Sequence, residues 1–308
     1  MNYGPLIFLG AFFALAASWF SFVLTPHVQF GSMTETNAIP SGSAYPLARL
    51  GLARQGLEVY RANGCAYCHS QQVGQTETVC DVILSEIGTN RPGVNAALVK
   101  AGVVVGDTDA TALLAKLPSR VLAGSLQKNV ADTLVKDLNA AGARAELWIV
   151  PWGPDIARGW GKRRTVAEDF LYDSPVLLGA QRVGPDLANV GSRLPDLQWH
   201  LRHLYAPRLE AKNSTMPPYR FLFQTRKVGR GVSADALNNL PPELAPPPGY
   251  EIVPRPEAVA LAAYLVSLRA DAPLFDAPFT TPPSPPPADT NAPAAGTLTN
   301  APGTNSSK

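Results

Sequence analysis

The chain has 308 residues, 46% of them hydrophobic, with a formal net charge of +2. That length suits one large domain or two smaller ones, and the near-balance of charge gives no argument for nucleic-acid binding or for an acidic partner. Its three cysteines, Cys65, Cys68 and Cys80, are too few and too odd in number for a disulfide framework.

The first element is apolar. Residues 6–24, LIFLGAFFALAASWFSFVL, carry no charge, and at about 1.5 Å per residue they match roughly the hydrocarbon thickness of a bilayer. Trp19 and Phe20 suit a membrane interface. Ala14-Leu15-Ala16 mimics a signal-peptide cleavage site, but the apolar run continues past it and no basic segment precedes it, which favours a retained anchor. Residues 1–27 are assigned to this anchor, and polar residues 25–45 to a short linker. Residues 46–62 follow as a helix with Leu50, Ala53, Leu57 and Tyr60 on one face, ending near Asn63-Gly64.

Residues 79–149 have another character. CDVILSE and ARAELWIV predict strands; RPGVNAALVKAG, DATALLAKL and LQKNVADTLVKDLNAAGA predict helices, the last with Val130, Leu134, Leu138 and Ala141 on one side. Cys80 opens the first strand, and a buried structural thiol is its default reading. Residues 150–228 are rich in Trp, Arg and Pro. Residues 229–256 predict an extended surface wrap, and 257–269 a helix with Ala258, Leu261, Ala262, Leu265 and Leu268 inward. From 271 onward, Pro, Ala, Thr and Asn predict a disordered tail.

The chemistry sits in NGCAYCHSQQ, residues 63–72. C-x-x-C-H is the c-type haem attachment pattern: two thiols add to two vinyl groups and the next residue turns its imidazole under the iron. A zinc half-site would need further Cys or His at metal spacing, and a redox dithiol would need a preceding strand where a helix is predicted. His69 is therefore one axial ligand. For the other, His27, Met33, His200, His203 and Met216 are the candidates. Met216 is favoured, because Pro217 and Pro218 hold it in a preset extended loop; packing or hydrogen bonding is the plainer reading for His200 and His203. His/Met ligation raises the haem potential and leaves no open coordination position, which points to electron transfer. The Pro185 carbonyl is a candidate to fix the second nitrogen of His69. Arg182 is a candidate to pair with a haem propionate, or else an ordinary surface arginine.

GCAYCHSQQV, RRTVAEDFLYDSPVLLGAQRVGPDLANVGSR, WHLRHLYAPR and STMPPYRFLF together resemble the mono-haem subunit of cbb3-type cytochrome c oxidase (the FixO family) over roughly residues 1–75 and 150–270. The resemblance implies a mainly α chain: one transmembrane helix and a class I-like cytochrome c domain in the bacterial periplasm, anchored in the cytoplasmic membrane. It implies one covalent haem c with His69 and Met216 as axial ligands. It also implies a haem–copper catalytic subunit and a di-haem cytochrome c subunit as partners, a soluble cytochrome c donor, and oxygen chemistry carried out elsewhere. A free membrane-anchored electron shuttle is the alternative. The departure is residues 76–149, which are similar to the C-terminal domain of the bacterial ribosomal stalk protein, a small α/β sandwich. The expected organisation is thus anchor 1–27, cytochrome c domain 28–75 and 150–270, insert 76–149 and tail 271–308.

Overall fold

The computed structural model describes residues 3–104, 114–115 and 117–281. The N-terminal helix is longer than residues 6–24. Gly4–Trp19 and Thr25–Gly31 are α-helical, and a π-turn over Phe20–Leu24 joins them into one 28-residue helix, α1, Gly4–Gly31. Pro26 lacks the N–H that the Phe22 carbonyl would accept. The ladder slips by one residue just before it: Thr25 N–H reaches the Phe20 carbonyl, and Thr25 Oγ1 donates to the same carbonyl at 2.9 Å. Residues 25–31, expected in the linker, are therefore helical. None of α1 is buried against the rest of the chain, and it is long and apolar enough to cross a membrane.

Beyond α1 the order is β1 (Thr36–Asn37), β2 (Ala44–Tyr45), α2 (Gly51–Ala62), β3 (Glu77–Glu86), α3 (Arg91–Lys100), β4 (Ser119–Ser125), α4 (Lys128–Ala140), β5 (Arg144–Trp152), α5 (Leu197–Tyr205), β6 (Phe223–Lys227), β7 (Tyr250–Pro254) and α6 (Pro256–Ser267), with short helical turns between. The chain is thus mixed α/β rather than mainly α, because strands build a three-stranded sheet and two hairpins. The helix expected over DATALLAKL lies outside the described residues except for Leu114, Ala115 and Leu117.

The linker is a strap rather than a free tether. β1 and β2 pair as a hairpin, and Tyr45 Oη donates to Asp169 Oδ1 at 2.6 Å. Arg163, only 1% exposed, grips both oxygens of the same carboxylate at 2.8 and 3.0 Å. A buried ion pair with this fork geometry and a third hydrogen bond leaves little of either charge unsatisfied. Arg49 pairs with Asp173 at the end of the strap.

Two separate cores follow. One joins α2, α5, α6 and β6–β7 around Tyr60, Leu201, Leu204, Leu261 and Tyr264. Its tightest point is the crossing of α2 and α6, where a Cβ on Gly56 would lie 1.9 Å from the Ala260 carbonyl oxygen. Gly56 therefore permits the crossing, and Tyr60 and Tyr264 pack beside it with ring centroids 5.2 Å apart. Leu50, expected on the inner face of this helix, precedes α2 and is 75% exposed. The β6–β7 hairpin closes the loop 228–249, so part of the expected surface wrap is paired strand.

The other core is formed by the strands in order β4-β3-β5, all antiparallel, with α3 and α4 packed on them. Val82, Leu84, Val94, Leu98, Leu134 and Leu138 are its centre, and Cys80 is buried in it. β4, SRVLAGS, carries no clean alternation, and its pairing with β3 is broken by register shifts. The segment leaves and returns at one place: Glu77 pairs with Trp152, and Thr76 N–H donates to the Trp152 carbonyl at 3.0 Å. The C-terminal segment is also ordered further than expected. Leu274 and Ala277 are buried, and Thr280 exchanges hydrogen bonds with Ile149 on the outer edge of β5. Residues 282–308 of the expected tail lie outside the described residues.

Two outcomes follow from this packing. Gly56→Val should force α2 and α6 apart and cost about 3 kcal/mol, read as a lowered urea midpoint by circular dichroism. Replacing residues 77–152 by two glycines should leave the α2–α6 core folded, because the ends it joins are already neighbours. A cooperative thermal transition in the shortened protein checks this, and its loss would show that the two cores fold as one.

Candidate haem site

The motif begins where α2 ends. Gly64 takes a left-handed conformation, φ +65°, which turns the chain out of the helix. A 3₁₀ turn, Cys65–Tyr67, follows. His69 N–H donates to the Cys65 carbonyl at 3.0 Å, so the two thiols and the imidazole are held within one tight loop. Cys65, Cys68 and His69 line a cavity of about 620 Å³, within the size range of small-molecule and cofactor sites. Much of its wall is aliphatic, from Leu187, Val190, Leu194, Leu204, Leu261 and Leu265.

A second segment, residues 178–188, is stitched to the motif. Ala180 N–H donates to the Ala66 carbonyl, Gly184 N–H to Cys68, Leu187 N–H to Ser70 and Gln71 N–H to Leu178, all at 2.8–3.0 Å. Asp186, fully buried, accepts from Ser70 Oγ at 2.6 Å, Gln72 N at 2.7 Å and Ala188 N at 2.8 Å. His69 Nδ1 lies 2.8 Å from the Pro185 carbonyl. Burial pulls the His69 pKa below its ordinary value, against the opposing pull of Pro185 and Asp186. A neutral ring donating through Nδ1 leaves Nε2 as a lone-pair ligand. The ring lies on Gly184, where a Cβ would come 2.3 Å from His69 Cε1.

Met216 lines the same cavity. Its loop is tied down by Met216 N–H donating to Ser214 Oγ at 3.2 Å and Tyr219 N–H to the Leu204 carbonyl at 2.8 Å. On α5, Asp196 caps the first turn by accepting from Gln198 N and Trp199 N. His200 is buried, with Nε2 2.8 Å from the Leu194 carbonyl. His203 also lines the cavity and stacks on Trp199 at 4.9 Å and 9°. Burial, then His200 and His69, push its pKa down to about 4.

Arg182 does not line the cavity. It pairs with Asp155 at 2.8 Å, donates to Ser70 Oγ at 3.1 Å and to the Gln72 carbonyl, and lies over the Trp160 ring. Asp155 in turn accepts from Gly74 N at 2.7 Å. Arg182 thus braces the loop after the motif. The arginine on the cavity wall is Arg193, whose Nε is buried and unpartnered. Sequence reasoning passed over it, since nothing local separates the two arginines.

Burial pushes the Cys65 thiol up to about 11, the reverse of what a redox dithiol requires. Among the described residues, no group of three or more His, Cys, Asp or Glu is placed to hold a metal ion. An aliphatic cavity with two thiols, a neutral imidazole and a thioether on its lining fits a covalent haem, and Gly184 provides room for the imidazole. Residues 149–240 match the family described as Cytochrome C oxidase, mono-heme subunit/FixO. That match supports a mono-haem subunit of a cytochrome c oxidase. It lies wholly C-terminal to the cysteine motif and begins within β5. No curated protein matches the chain.

The depressed His203 pKa has a consequence for acid stability. An unfolded histidine takes up its proton near pH 6.5, whereas His203 in the fold resists it until about 4. Its contribution is therefore complete above pH 6.5 and is lost as pH falls towards 4. Allowing for partial exposure, the loss is about 2 kcal/mol. His203→Phe, which keeps the stack on Trp199, should flatten this part of the acid limb in urea titrations between pH 4 and 7.

Proposed function

We propose that the chain is the membrane-anchored mono-haem c subunit of a cbb3-type terminal oxidase, relaying single electrons from a cytochrome c donor to a haem–copper catalytic subunit. The observation that carries this reading is the cavity: it joins Cys65, Cys68 and His69 to Met216, about 150 residues further on. The family match over residues 149–240 supports the same assignment from the other half of the chain.

In this reading Cys65 and Cys68 would attach the haem as thioethers, and His69 and Met216 would hold its iron. The haem would supply a one-electron couple, with no chemistry on oxygen asked of this chain. The chain does the rest. Pro185 holds the His69 ring in one tautomer and orientation, Gly184 leaves it room, and Ser214 and Tyr219 keep the Met216 loop in place. The aliphatic walls exclude water. α1 holds the domain at the membrane, on its periplasmic side. The region 76–149 is an insertion in the cytochrome c domain. Its three antiparallel strands and packed helices are compatible with the stalk-protein-like fold, and a protein-docking role is its simplest use.

Met216→Leu should keep the haem covalently attached, because both thioethers remain. The reduced spectrum should change, and the midpoint should fall by at least about 59 mV, a tenfold shift in a one-electron equilibrium. An unchanged spectrum and midpoint would remove Met216 as ligand. Solubilising the native membrane separates the oxidase subunit from the free shuttle: co-purification with haem b and a catalytic subunit is expected, and isolation as a lone cytochrome c would support the shuttle.

A further inference from the structure

The unit between Glu77 and Trp152 leaves one face and one edge of its sheet unfinished. α3 and α4 pack on the side that carries Cys80, Val82, Leu84 and Ala145. Side chains alternate along a strand, so Val79, Ile83, Trp148, Val150 and Trp152 belong to the other side. The first four are half-buried and Trp152 is exposed. Asp81 on this face is satisfied by Gly124 N–H at 2.7 Å and by Arg120 at 3.3 Å. Trp148 Nε1, by contrast, is buried without a partner, and a buried indole N–H calls for an acceptor.

The outer edge of β5 shows where an acceptor would come from. Ile149 exchanges two hydrogen bonds with Thr280 there, and Ala145 exchanges two with the Asn139 side chain. Backbone groups turn outward at every second residue, so Leu147 is the outward position between them. Among the described residues, none is bonded to Leu147 on that edge. The C-terminal segment reaches β5 from its Trp152 end. Arg164 donates from its backbone to Gln75 Oε1 and from its side chain to the Asp276 carbonyl, and the neighbouring Thr76 is bonded to Trp152. The segment then passes Ile149 at Thr280, so it runs antiparallel to β5, and two residues further on Pro282 falls opposite Leu147.

We propose that the chain's own proline run, residues 282–287, PPSPPP, docks on this edge and face. The Pro282 carbonyl accepts from Leu147 N–H, a later carbonyl of the run accepts from Trp148 Nε1, and the proline rings lie on the Trp148 indole. Proline supplies a carbonyl without an N–H and favours the extended polyproline conformation, so it can finish an edge that needs an acceptor and cannot extend the sheet further. Aromatic side chains with carbonyl-seeking donors are the general means of holding such segments. The docked run closes an edge that could otherwise pair with a strand of another chain. It also makes the C-terminal segment the resident occupant of the unit's free face. The proposal rests on the fold of this unit and not on the haem reading.

The test compares the full chain in detergent with a chain ending at Thr281, by amide hydrogen exchange resolved to single residues. The shorter chain keeps every buried residue named above. It should exchange the Leu147 amide about tenfold faster, while Ala145, held by Asn139, is unchanged. A synthetic peptide of residues 280–290 added to the shorter chain should slow Leu147 again. In the full chain, replacing the five prolines of the run by serine should speed Leu147 about fivefold. Trp148→Phe, which keeps a ring and lacks the donor, should speed it about threefold in the full chain and leave the shorter chain as it was. Equal Leu147 exchange in the two chains overturns the proposal, as does full protection in the serine variant. Protection that falls on dilution also overturns it, by assigning the edge to a second copy. So does protection that appears only with an added oxidase subunit, which assigns the edge to a partner. If Trp148→Phe fails to accumulate, the serine variant decides by the same readout.

Discussion

The seam between residues 66–72 and 178–188 is the constraint on which the rest of the fold depends. It is built from backbone hydrogen bonds in both directions, from Gln71 N–H to Leu178 and from Ala180, Gly184 and Leu187 N–H back to Ala66, Cys68 and Ser70. The Asp186 carboxylate closes it from inside. Neither half of the seam is a regular strand or helix, so each would otherwise leave several buried backbone groups unpaired. The two halves satisfy one another, and in doing so they place the His69 ring against Gly184 and Pro185.

The seam also explains how a separately packed unit can sit between its halves. The chain leaves at Thr76 and returns at Gly153 with Glu77 and Trp152 already paired. Closing that gap adds little strain to the helical core, and the intervening residues pack a core of their own. The unit is nevertheless attached to the motif. β5 runs directly into the turn Pro154–Ala157, whose buried Asp155 holds Gly74 and Arg182. Arg182 then reaches Ser70. Movement of β5 relative to the core would be felt two residues from Cys68 through a chain of direct contacts, so the unit is braced against the motif and not merely tethered to it.

Legibility followed the range of each constraint. The CxxCH motif could be read because its chemistry demands adjacent residues, and Met216 stood out because two prolines preset its loop. The existence of the anchor followed from an uncharged run, but its end did not: Pro26 looks like a stop, yet a π-turn before it lets the helix continue to Gly31. Gly56 was invisible for a different reason. Periodicity counts apolar side chains, and the residue that permits the α2–α6 crossing contributes none. The strap was hidden by its polar composition, because what orders it is Tyr45 meeting Asp169, 124 residues away. Arg182 and Arg193 could not be told apart locally, since the difference is which one faces the cavity.

These features bear on the electron-transfer reading in one direction. A ferric c-type haem with neutral axial ligands carries more positive charge than its ferrous form, so an environment that solvates charge poorly favours reduction. The aliphatic wall would provide that environment for the haem of the proposed function, and a thioether ligand from Met216 would act the same way. His200 and His203, held towards neutrality by burial, would add no titrating charge beside such a haem at neutral pH. Rigidity adds to this. The imidazole is fixed by Pro185 and Gly184, and the Met216 loop by Ser214 and by Tyr219 bonded to α5, so neither side chain is free to move far. A preset pocket with a largely aliphatic wall would suit exchange of an electron better than binding of a reactant.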